Sequence, residues 1–71
     1  MNVPAYPITV FWSAEDGAWV ADVPDLRYCS ATGDTPHGAV VEVETAIGAW
    51  LEAAKSSGRP IPVPSTRLAQ A

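Results

Sequence analysis

AWVADVPDLRYCSATGDT, residues 18–35, reads as a strand, a corner, a second strand and the opening of a helix within eighteen residues. Pro24 lacks an amide donor and ends the strand Ala18–Val23. Asp25 can accept from nearby backbone amides and hold the corner. Tyr28–Thr32 is a weaker strand of mostly small residues, and Gly33 permits a sharp change of direction. Thr35 fits an N-cap whose hydroxyl accepts an orphan amide, and Pro36 fits the first helical position, where no N–H is needed. Asp34 adds negative charge near the positive end of the helix dipole.

Upstream, Tyr6–Ser13 (YPITVFWS) has the β-branched and aromatic content of a strand, and Ala14–Gly17 (AEDG) is a turn. A four-residue loop pairs Ser13 with Ala18, Trp12 with Trp19, Phe11 with Val20, Val10 with Ala21, Thr9 with Asp22 and Ile8 with Val23. Side chains alternate along a strand. One face therefore collects Ile8, Val10, Trp12, Trp19, Ala21 and Val23, the expected core face. The other collects Thr9, Phe11, Ser13, Ala18, Val20 and Asp22. A slip of one residue would exchange the two faces, so the register is well specified.

Downstream, Ala39, Val40, Val43, Ala46, Ile47, Trp50, Leu51 and Ala54 recur at three- and four-residue steps, which predicts an amphipathic helix to about Ser57. Gly58 fits the position after the helix and Pro60 prevents continuation. Arg59–Pro64 (RPIPVP) cannot be a central strand, because its prolines remove donors, but it can lie extended beside a sheet edge. The expected organisation is one domain over residues 1–71: a lead-in at 1–5, a folded core at 6–64 and a frayed tail at 65–71.

The chain has 71 residues, 48% hydrophobic and 17% charged, which is globular composition. Only about 60% of the unfolded surface is buried in so small a domain, which favours association. The formal net charge is −4. Arg27, Lys55, Arg59 and Arg67 form no patch in the sequence, so direct nucleic-acid binding is not expected. An acidic chain suits a basic protein partner. Cys29 is the single cysteine, so no intrachain disulfide forms. No signal sequence or membrane-length apolar run is legible, and a cytoplasmic location is expected.

No catalytic constellation is legible, and no cofactor or metal is expected. His37 stands alone at the helix start, and Ser13, Ser30 and Thr32 have no triad partner beyond it. Asp16, Asp22, Asp25 and Asp34 are spread over turns, a corner, a strand and the helix start, and do not obviously converge on a cation. Cys29 sits among small residues, as a packed thiol does. Gly33, Gly38 and Gly48 are too dispersed for a phosphate loop. The outer sheet face is the better candidate: Phe11 opposite Val20 makes it more apolar than solvation requires, and aromatic anchors carry interface energy. Phe11, Val20, Asp22, Glu15 and Asp16 are the candidate partner-binding residues.

The order of the pieces resembles the HicB-like antitoxin family of bacterial toxin–antitoxin systems. The matching residues are YPITVFW (6–12), Glu15-Asp16-Gly17, Val23-Pro24-Asp25-Leu26 before Cys29, Gly33-Asp34-Thr35, Ala46, Ile47 and Trp50-Leu51 on the helix, and GRPIPVP (58–64). Arg27-Tyr28 stand where the family usually has a proline-glycine pair. Pro36-His37-Gly38 stand where a leucine and paired glutamates are usual. The resemblance implies an α+β domain, β-β-β-α-β, a degenerate ribonuclease-H-like half-domain whose last strand returns beside the first. It also implies a non-enzymatic antitoxin that covers the active site of a small basic, HicA-like, mRNA-cleaving toxin, assembled as a dimer or tetramer. The alternative is an orphan homo-oligomeric structural or small-ligand-binding protein with no toxin. The family's C-terminal DNA-binding domain has no counterpart in these residues.

Overall fold

A computed structural model describes residues 5–65. Three antiparallel strands, β1 (Thr9–Ser13), β2 (Ala18–Asp22) and β3 (Ser30–Gly33), form a sheet in the order β1-β2-β3. One helix, α1 (Pro36–Ser57), packs on one face of it, most closely over β3, less over β2 and least over β1. This is the expected α+β architecture. Residues 1–4 and 66–71, which include most of the expected lead-in and tail, lie outside the described residues.

The hairpin register is the one the four-residue turn dictates, from Thr9 opposite Asp22 to Ser13 opposite Ala18. Ala21 and Val23 are fully buried on the helix side, with Ile8, Val10 and Trp19 packed against that core. Trp12 departs from the expectation of a buried pair. Its ring meets Trp19 edge to face at 5.6 Å, yet Trp12 is 52% exposed. The face is right, but α1 sits toward β3 and leaves the β1 margin uncovered.

The helix ends are built from the residues that predict them. The Thr35 Oγ1 accepts from the Gly38 amide at 2.9 Å, Pro36 opens the first turn, and Gly58 caps the C-terminus in the left-handed region at φ 71°. Ala39, Val43, Ile47 and Ala54 are buried, with Ala46, Trp50 and Leu51 packed beside them. Fully burying a side chain such as Leu26, Ile47, Val23 or Val43 contributes about 1.5–3 kcal/mol.

The corner differs from expectation in its wiring. Backbone bonds hold it: Leu26 N–H to Val23 C=O at 3.0 Å, Cys29 N–H to Leu26 C=O at 3.3 Å and Val23 N–H to Cys29 C=O at 2.9 Å. The Trp50 indole N–H reaches across to the Arg27 carbonyl at 2.9 Å and pins the corner to α1. Asp25 is spent elsewhere: its carboxylate accepts from the Ser65 amide at 2.7 Å and the Ser65 hydroxyl at 2.8 Å. β3 starts at Ser30 and not at Tyr28, because Tyr28 takes a left-handed conformation, φ 61°, that no strand allows.

The last strand that the resemblance implies does not form within 59–65, where the proline-rich segment follows no ladder. Its alternate prolines cannot donate. It is fastened instead by the Tyr6 hydroxyl donating to the Pro62 carbonyl and by Ser65 on Asp25. Tyr6 is therefore a core residue 6% exposed, and Pro7 delays the start of β1 to Thr9.

Two substitutions probe these backbone constraints by urea denaturation. A Cβ on Gly33 would stand 2.5 Å from the Ala39 nitrogen and 2.7 Å from the Gly38 carbonyl carbon, so Gly33→Ala is expected to destabilise by about 1–3 kcal/mol. Tyr28→Gly is expected to stabilise by about 0.5–1 kcal/mol, the left-handed strain relieved less the entropy of glycine.

Candidate partner interface

Phe11, Val20 and Thr32 form one row across the outer sheet face, and Thr9, Asp22 and Ser30 form the next. The helix lies on the other face, so this face has no covering layer among the described residues. Phe11 is 46% exposed and Val20 half-buried. The row continues onto β3 through Thr32, a residue that the hairpin alone does not reveal but that its alternation with Ser30 makes legible.

Glu15 and Asp16 occupy the β1–β2 turn at one end of the hairpin, both exposed. Ser13 locks that turn: its hydroxyl donates to the Asp16 carboxylate at 3.0 Å and accepts from the Asp16 amide at 3.2 Å. Asp22 stands at the opposite end of β2, half-buried. The five candidate residues thus lie along one strip of the β1–β2 hairpin, acidic at both tips and apolar in the middle.

The tips are not electrostatically equal. The turn end also holds the start of α1, where Ala18, Thr32, Gly33, Asp34, Thr35, Gly38 and Glu42 line an open groove. Glu15, Asp16, Asp34 and Glu42 therefore share one end of the molecule. Every basic residue among the described residues, Arg27, Lys55 and Arg59, lies at the other, beside the corner and the end of α1. There the Arg59 guanidinium sits 5.6 Å from the centre of the Trp50 ring. Asp22 and Asp25 stand near those cations, whereas no basic residue among the described residues accompanies Glu15, Asp16, Asp34 and Glu42 at the turn end. Asp34 and Glu42 join this acidic end only through the fold: in the sequence Asp34 reads as a helix-dipole residue, and Glu42 simply lies off the apolar stripe of α1.

The remaining polar residues do not assemble into a second site. No three His, Cys, Asp or Glu side chains cluster among the described residues. His37 is exposed in the first helical turn. Cys29 is 3% exposed within the core. Burial first, and the nearby Asp22 carboxylate second, push its thiol above the ordinary value of 9.0.

The result is a small α+β domain with one sheet face covered by a helix over β3 and β2 and the other without a covering layer among the described residues. The chain belongs to the HicB-like antitoxins of bacterial toxin–antitoxin systems, whose family profile matches residues 6–71. It is similar to the UPF0150 protein ssl0259 of Synechocystis, 32% identical over 65 residues that cover 92% of this chain and 88% of that protein. It is also similar to the UPF0150 protein Ta0767 of Thermoplasma acidophilum, 38% identical over 48 residues that cover 68% of this chain and 70% of that protein. No solved structure matches it. No helix among the described residues is long and apolar enough to cross a membrane.

The thiol gives a prediction with a definite sign. A folded Cys29 holds its proton more tightly than an unfolded one, so its contribution is full below pH 9.0 and is lost as pH rises from there toward the folded value. Unfolding free energy is expected to fall as pH rises above 9.0, and the fall to be shallower in Cys29→Ala.

Proposed function

We propose that this chain neutralises a small basic, HicA-like, mRNA-cleaving toxin in the cytoplasm by covering the toxin's active site with the outer face of the β1–β2 hairpin. The observation that carries the reading is the coincidence of an uncovered apolar row, Phe11 and Val20, with acids at the adjoining turn that no basic residue among the described residues accompanies. A basic ribonuclease must present cations where it holds RNA phosphates. Glu15 and Asp16, with Asp34 and Glu42 beside them, would steer and pair those cations, while Phe11 supplies the apolar anchor. Asp22 contacts the partner at the far tip of the strip. Occlusion needs no catalytic group on this chain, and the antitoxin acts as a homo-oligomer that does not itself contact nucleic acid.

The test is a titration of the purified chain against the small basic protein encoded beside it, read by calorimetry and by an RNA-cleavage assay. The expected outcome is stoichiometric binding with loss of cleavage. Glu15→Lys with Asp16→Lys should slow association by about tenfold or more at low salt, with the difference shrinking as salt rises. Binding unchanged by both this pair and Phe11→Ala would rule the hairpin out as the contact.

A further inference from the structure

We infer that Tyr28, at the corner between β2 and β3, anchors the basic partner protein by offering its ring face to an arginine or lysine side chain. This contact rests on the antitoxin reading above and carries it from the Asp22 tip of the hairpin onto the corner.

Three observations single out this residue. First, its backbone is strained. Tyr28 has φ 61° and is the one non-glycine residue with positive φ among the described residues. A bulky side chain in that region is an outlier, whereas glycine adopts it without steric cost. Strain of this kind persists where the surrounding structure imposes it, and it clusters at sites that bind or switch.

Second, the ring returns nothing to the fold. Tyr28 is 94% exposed, more than any other large hydrophobic side chain among the described residues. The chain therefore sustains the strain for a side chain that buries almost no surface. A residue that costs stability without burial is expected where function has set the choice.

Third, the ring stands on a rigid base. Backbone bonds among Val23, Leu26 and Cys29 close the corner, and the Trp50 indole ties the carbonyl of the preceding residue, Arg27, to α1. An anchor held in place beforehand loses less freedom on binding. Tyrosine is also one of the residue types that dominate interface energy. The corner leaves the sheet after Asp22 and re-enters it at Ser30, which pair with each other in an outer row. It thus continues the strip proposed as the contact.

Charge selects what meets the ring. Arg27, Lys55 and Arg59 at this end are matched by Asp22, Asp25 and Glu52, so the corner neither steers nor repels a basic partner. The attraction has to come from the ring, whose negative face favours a guanidinium or ammonium group. The molecule already contains one such pair, with the Arg59 guanidinium 5.6 Å from the centre of the Trp50 ring.

The experiment compares the full chain with three variants, each titrated with the small basic protein by calorimetry and each unfolded alone in urea. Tyr28→Phe keeps the ring and should bind within about threefold of the unsubstituted chain. Tyr28→Leu keeps the strained backbone and apolar bulk but has no ring face, and should bind about fivefold or more weakly. Tyr28→Gly should bind about tenfold or more weakly while unfolding at higher urea. A lower urea midpoint for Tyr28→Gly would show the ring packed within its own chain and would overturn the inference. Binding by Tyr28→Gly or Tyr28→Leu equal to that of the unsubstituted chain would overturn it as well, leaving the antitoxin reading intact. Absence of binding by the unsubstituted chain would overturn both.

Discussion

The approach of Gly33 to the backbone of α1 governs the rest of this molecule. A missing side chain at the end of β3 lets the strand run almost against the Gly38–Ala39 peptide, and Thr35 then caps the helix at once. The helix is therefore seeded over β3, and a straight rod seeded there covers β3 and β2 before it reaches β1. The buried row Ala21, Val23, Ala39, Val43 and Ile47 follows from that placement. So does the half-covered Trp12, and so does a sheet whose second face carries no layer among the described residues.

A second constraint works at the far end. The corner between β2 and β3 closes through three backbone bonds, and the Trp50 indole ties its Arg27 carbonyl to the helix. That geometry demands a left-handed residue at position 28, and the chain places there a tyrosine 94% exposed. Pairing Asp25 with Ser65 brings the proline-rich segment against the same corner. The cationic residues Arg27, Lys55 and Arg59 gather around these contacts, which leaves the uncompensated acids at the other end. Charge polarity in this protein is thus a consequence of where the turns fall.

Much of this was written in the chain. Asp16-Gly17 fixed the hairpin loop, the loop fixed the register, and the register separated the two faces residue by residue. Thr35, Pro36 and Gly58 marked the helix ends for direct chemical reasons. The missed points share one cause: they depend on where elements sit relative to each other. Alternation placed Trp12 on the correct face but could not show that α1 stops short of it. Local propensity assigned Asp25 to its own corner, whereas a partner 40 positions away claimed it. Tyr28 read as the first residue of a weak strand of mostly small residues, while the closure of the corner forced its backbone elsewhere. The strip Glu15, Asp16, Phe11, Val20 and Asp22 was legible as a set of faces and turns. The nearness of Asp34 and Glu42 to that strip became visible only once the helix start was seen beside the β1–β2 turn.

The family places this chain among antitoxins, and the outer face of the β1–β2 hairpin is the contact proposed for its partner. Amide hydrogen exchange of the chain, alone and saturated with its small basic partner protein, tests that most directly. The account predicts added protection across residues 9–22, on the hairpin, with the interior of α1 unchanged. Protection confined to the exposed side of α1 or to the 59–65 segment, with the hairpin unaltered, would contradict it.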